Sequence, residues 1–110
     1  MFRSQKPVVN DLSADEVARG LTEGRIMLVD VREPHETARE AYPDAIAMPL
    51  SRFDPAALPD PAGREVVFAC GVGKRSATAA LAAQQQGFDY NSHLEGGMKA
   101  WKEAGLPTKT

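Results

Sequence analysis

Residues 65–87 read EVVFACGVGKRSATAALAAQQQG, and their pattern decides the fold. An apolar run of strand length leads to Cys70, a tight loop with glycines at 71 and 73 follows, and a helix rich in small residues runs on until Gly87 stops it. The chain's only cysteine therefore stands where a buried strand gives way to a loop. The rest of the sequence reads as scaffold that steadies this loop and covers its sheet.

Upstream, Val8 and Val9 suggest a short edge strand. Ser13 with Glu16 forms a capping box that starts a helix, stapled by Leu12 and Val17 and closed at Gly24. Residues 26–31, IMLVDV, are an apolar run of the kind buried on both faces of a parallel sheet. Pro34 suits the first turn of a short helix to about Arg39, with Glu33 as its cap. Residues 42–44 read as a turn and 45–48 as another strand. One helical turn falls within 51–58, with Asp54 and Pro55 as cap and first position. Asp60-Pro61-Ala62-Gly63 fits a type I turn. Downstream, 90–94 reads as a strand and 98–104 as a closing helix with Gly105 at its end. Met98 and Trp101, three apart, share its core face.

Strands and helices alternate with short connections and without repeats. The expected fold is α/β, one domain over residues 8–107, with a mainly parallel sheet and helices on both faces. Residues 1–7 are expected to be a flexible N-terminus and 108–110 a C-terminal tail. Ligands of such sheets bind at the carboxyl ends of the strands. Cys70 lies at one such end and the segment from Asp30 to Glu33 at another, so both belong to one rim.

Composition narrows the classes. The chain has 110 residues, 43% hydrophobic and 25% charged, enough for one self-sufficient core. With 13 basic and 15 acidic residues it has no dominant basic field, which argues against nucleic acid as partner. No apolar run approaches membrane-spanning length, and MFRSQKP lacks the apolar core of a secretory signal, so a cytoplasmic location is expected. A single cysteine excludes an internal disulfide and a cysteine-based zinc cage. No metal or organic cofactor is implied. The lone thiol is either a small buried hydrophobe or a reagent.

The loop argues for the reagent. In Cys70-Gly71-Val72-Gly73-Lys74-Arg75-Ser76, glycines 71 and 73 permit the positive φ of an anion-binding nest, and the following helix points its positive end at the same space. Lys74 and Arg75 add formal charge. An ordinary thiol is about 3% ionised at pH 7, and a pKa near 6 makes it about 90% thiolate, a difference of roughly 3.4 kcal/mol. A helix terminus supplies about 0.3–2 kcal/mol of this, so the loop's amides and cations must contribute as well. A thiolate so held attacks sulfur or phosphorus centres, and the same amides receive an anionic product. His35 reads as solvated and His93 as structural. With no paired base evident, loop electrostatics are expected to activate Cys70 unaided.

Four pieces of the chain together resemble the rhodanese family of single-domain sulfurtransferases: LVDVREPHE at 28–36, AIAMPL at 45–50, VVFACGVGKRSATAA at 66–80 and LEGGMKAWKEAGLP at 94–107. The resemblance implies a five-stranded α/β fold in which Cys70 accepts a sulfane sulfur and becomes a persulfide. It implies that the amides of Gly71, Val72, Gly73, Lys74, Arg75 and Ser76 cradle the transferred sulfur and the donor's anionic group, with Lys74 and Arg75 attracting a donor such as thiosulfate. Asp30 and Arg32 match the family's DVR segment and read as a hydrogen-bonded brace under the rim. Many relatives carry His-Ile-x-Gly-Ala where this chain has Ala41-Tyr42-Pro43-Asp44-Ala45, so that turn departs from the pattern. Without a second cysteine, the persulfide must be collected by an external nucleophile: cyanide, glutathione or another small thiol, or a partner protein's cysteine.

Two other readings compete. Phosphatases and arsenate reductases use related loops, but four residues separate Cys70 from Arg75, one fewer than in their C-x5-R loop, and Ala69 replaces their usual His. A binding or regulatory module, or a sulfur carrier for one partner protein, would use the same fold.

Overall fold

The computed structural model describes residues 7–110, so most of the expected N-terminal segment, 1–6, lies outside the described residues. Five strands form one sheet: β1 (Asn10–Leu12), β2 (Ile26–Asp30), β3 (Ile46–Ala47), β4 (Glu65–Ala69) and β5 (Ser92–Leu94). Their order is β1-β5-β4-β2-β3 and every pairing within the sheet is parallel. The expectation of a mainly parallel sheet thus tightens to a wholly parallel one. The antiparallel contact between Ala41 and Lys109 is an isolated bridge outside it.

The helices are α1 (Ala14–Thr22), α2 (Pro34–Arg39), α3 (Lys74–Gln85) and α4 (Gly97–Glu103). The capping box of α1 is present in both directions, Ser13 Oγ accepting from the Glu16 amide and the Glu16 carboxylate from that of Ser13. β2 is buried at every position and β4 at every position but the first, as expected of apolar runs covered on both faces. On one face α1 and α4 pack Val17, Met98 and Trp101 against Ile26, Leu28, Val67 and Leu94. On the other, α3 presents Ala79, Ala80 and Ala83 to Met27, Val29, Val66 and Phe68. These alanines recur at helical spacing, and their short side chains let α3 lie close to the sheet.

Three local expectations give way. Val8 and Val9 precede the first strand, and Val8 is largely exposed. The turn before β4 is shifted by one residue, to Pro61–Arg64. Its central Ala62 and Gly63 both take positive φ, 54° and 84°, a type I′ pattern that the type I reading of residues 60–63 excludes. The C-terminal residues are not a free tail: Lys109 exchanges two backbone hydrogen bonds with Ala41, and the Thr108 hydroxyl donates to the Glu40 carboxylate.

Candidate active site at the end of the central strand

β4 is the middle strand, and Ala69 pairs with Asp30 of β2, so the two expected segments do share one rim. Cys70 follows at once, and its peptide groups are fixed from two sides. Its carbonyl accepts from the Met98 amide at 2.8 Å and from the Tyr42 hydroxyl at 2.5 Å, and the Gly71 carbonyl accepts from the Lys99 amide at 3.1 Å. The start of α4 therefore takes up the loop's carbonyls. Gly97 permits this approach: a Cβ there would lie 2.6 Å from the Cys70 oxygen, and its φ is 58°. Gly73, at φ 101°, turns the chain into α3. Gly71, expected to need positive φ as well, does not take it; its missing Cβ instead leaves room for the Arg75 guanidinium.

With the carbonyls turned outward, the amides turn in. Cys70 Sγ accepts from the Gly73 amide at 3.1 Å and the Ser76 amide at 3.3 Å, and the Ser76 hydroxyl lies 3.4 Å away. The sulfur is fully enclosed, with none of the residue exposed. Burial by itself pushes the thiol up, but the Ser76 hydroxyl and the amides of Ser76, Gly73 and Val72 outweigh it, and the thiol lies below its ordinary value. The enclosure is thus polar where it touches sulfur.

The basic side chains are placed differently from the sequence expectation. Lys74 and Arg75 belong to the first turn of α3, not to the loop. Arg75 forms a two-pronged ion pair with Glu36, at 2.6 and 2.9 Å. Its guanidinium holds the Glu36 carboxyl down at about 2. Lys99 pairs with Glu103 and Lys102 with Glu40. Lys74 has no carboxylate partner among the described residues. Arg75, Glu36, Lys99, Lys102 and Glu103 line an open depression of about 600 Å³ together with Arg32, Gly71, Val72 and Met98, whereas Lys74 is not among its lining residues. Gly71 and Val72 bring the loop to this depression, and Val72 is 59% exposed, while Cys70 itself is enclosed.

Under the rim, Asp30 and Arg32 form a buried pair at 2.8 Å, and Arg32 also donates to the Glu40 carbonyl. The Arg32 guanidinium lies 5.3 Å from the centre of the Tyr42 ring, which also meets Trp101 edge-on at 5.5 Å. Tyr42 sits in the turn that departs from the family pattern. Asp44, at the place of the glycine in that pattern, takes φ 58° and keeps the turn. Burial pushes the Tyr42 phenol far up, so it stays a donor to the Cys70 carbonyl.

Sequence reasoning did not single out the roles of Tyr42, the Ser76 hydroxyl and His93, whose Nδ1 lies 2.8 Å from Ser76 Oγ. Strand alternation carried a signal for the last: His93 is in register with Phe68, on the sheet face that Cys70 shares. His35, by contrast, is exposed as expected.

Comparison with known proteins bears on the family and the fold. The family model for the rhodanese-like domain matches residues 13–104. An uncharacterized protein of Synechocystis is 46% identical over 83 residues, covering 76% of this chain; the chain spans 46% of that relative's length. A protein of Allochromatium vinosum described as a sulfurtransferase is 34% identical, covering 91% of this chain and 94% of its own. Among solved structures, a protein of unknown function from Rhodopseudomonas palustris, described as a possible tyrosine phosphatase, superposes with a TM-score of 0.78 at 29% identity, covering 92% of this chain and 85% of its own.

Proposed function

This chain belongs to the rhodanese-like domain family, and from that premise we propose that it is a sulfurtransferase that carries a sulfane sulfur on Cys70. The Cys70 thiolate attacks the outer sulfur of a small anionic donor such as thiosulfate. The donor's S–S bond breaks, sulfite leaves with the bonding pair, and a persulfide remains on Cys70. Cyanide or a thiol, free or on a partner protein, then attacks the outer sulfur and releases the Cys70 thiolate. No second cysteine is present to resolve the persulfide as an internal disulfide, so donor and acceptor act in turn at one site.

The observation that carries this reading is the convergence of the Gly73 and Ser76 amides on Cys70 Sγ. Donors of this kind stabilise sulfur that is negative in the resting thiolate and again in the persulfide, without reorganising during the reaction. Asp30 and Arg32 serve as the brace that keeps the rim in place, not as reacting groups.

The test is intact-mass measurement after incubation with thiosulfate. One added sulfur is expected on the protein, lost again with cyanide, and none on Cys70→Ser. Absence of the adduct with several sulfane donors would leave a binding module in its place. A Cys70→Ser protein that kept full biological activity would point the same way.

The likeness to a possible tyrosine phosphatase supports a second reading, hydrolysis of a phosphate ester at the same cysteine. Two features weigh against it: the loop is one residue shorter than C-x5-R, and the Arg75 guanidinium is committed to Glu36. Turnover of a small aryl phosphate, set beside thiocyanate formation from thiosulfate and cyanide, separates the two.

A further inference from the structure

We propose that His93 is a positioning residue for Cys70, acting through the Ser76 hydroxyl at the far end of a proton path anchored by Asp11; the proposal rests on the sulfurtransferase reading above. His93 is 5% exposed and both of its ring nitrogens are engaged. Nε2 lies 2.7 Å from Asp11 Oδ1 and Nδ1 lies 2.8 Å from Ser76 Oγ, which is itself 3.4 Å from Cys70 Sγ. β1, β5, α3 and the cysteine loop each contribute one member of the chain.

The order of donors follows from the ends. A carboxylate only accepts, so Asp11 keeps the proton of the neutral imidazole on Nε2 and leaves Nδ1 as an acceptor. The Ser76 hydroxyl then donates to Nδ1 and presents its lone pairs to the Cys70 S–H. The Gly73 carbonyl, 3.2 Å from Oγ, is the competing acceptor for the hydroxyl proton, and His93 decides between them. On ionisation the S–H bond breaks, its electron pair stays on sulfur, and the proton passes to Oγ. The former Oγ proton moves to Nδ1. The products are a thiolate that accepts from the Ser76 hydroxyl and an imidazolium held by Asp11. The reverse transfer reprotonates Sγ when the acceptor has taken the outer sulfur. The residues in register with or bonded to His93 are Asp11 on β1, Phe68 on β4 and Ser76 on α3, so Asp11 and, through Ser76, Cys70 are its titratable neighbours.

His93→Asn supplies the test, because its side-chain oxygen can accept the Ser76 hydroxyl but cannot store a proton. Asp11→Asn is the second variant; Asp11 is 54% exposed, and the change alters no packing. The readout is the rate of Cys70 alkylation by iodoacetamide against pH, which requires no sulfur transfer, run beside thiosulfate loading of the wild type by intact mass. Near pH 6.5, His93→Asn is expected to react at least about tenfold more slowly than wild type, and the ratio is expected to fall toward one near about pH 9.5, where the thiol ionises unaided. Asp11→Asn, which removes the carboxylate that holds the proton on Nε2, is expected to slow the alkylation near pH 6.5 in the same direction and by a smaller factor. A wild-type to variant ratio that stays constant with pH, or coincident profiles, would overturn the proposal and leave His93 a structural histidine. If His93→Asn does not fold, an Asp11→Asn rate equal to that of wild type near pH 6.5 overturns it alone. Failure of wild type to load sulfur strikes the sulfurtransferase reading instead.

Discussion

At the level of single residues, the sulfur's environment is built from hydrogen bonds more than from formal charge. Ser76→Ala removes the hydroxyl that lies against Cys70 Sγ. A hydrogen bond to a charged group contributes about 1.5–3 kcal/mol, so the variant's thiol should ionise at higher pH than that of wild type. Because Ser76 lowers the thiol, thiolate is lost from the variant at pH values where wild type retains it, and absorbance at the thiolate band measured against pH checks the direction. Tyr42→Phe deletes one of two donors to the Cys70 carbonyl and keeps the ring between Arg32 and Trp101. Its cost should be about 1 kcal/mol, read as a lower melting temperature, with the persulfide still formed. The cysteine and its loop were legible in the sequence because glycine, small and basic residues at fixed offsets have few other uses there. Tyr42 was not, because its partner is a carbonyl 28 positions away and nothing local marks that pairing.

At the level of elements, two helix starts meet at one loop. Gly97→Ala places a Cβ 2.6 Å from the Cys70 oxygen and the Gly71 carbonyl carbon, both backbone, at a positive φ. Neither neighbour can swing away, so the substitution should cost several kcal/mol, on the order of the larger core substitutions, and abolish sulfur loading even where protein is recovered. Glu36→Gln probes the α2–α3 contact. The Glu36 carboxyl is depressed to about 2, so its contribution is fully present above its ordinary range and is lost as pH falls toward the folded value. For this part-exposed pair the contribution is on the order of 1 kcal/mol. The variant should therefore be less stable at neutral pH, and denaturation curves of the two proteins should converge near pH 2. Element type and order were readable from capping residues and apolar runs. The Arg75 placement was not: α3 begins at Lys74, and that first turn aims the guanidinium at α2.

For the whole molecule, the wholly parallel order β1-β5-β4-β2-β3 puts the cysteine on the central strand, with one face packed by α1 and α4 and the other by α3. Alternating elements with short connections made that class readable in advance; the position of each strand in the sheet was not, since β1 pairs with β5 across most of the chain. If the proposed transfer through Cys70 holds, steady-state kinetics with varied donor and acceptor should give parallel double-reciprocal lines; intersecting lines would require both to bind together. One further result follows from the way α4's opening amides take the carbonyls of Cys70 and Gly71 while amides of the loop and of the start of α3 aim at the sulfur. The peptide dipoles around that atom are locked in a single polarity before any ligand arrives. Such a frame discriminates by sign: it welcomes a developing anion at no cost of rearrangement, and gives a positively charged electrophile nothing to hold.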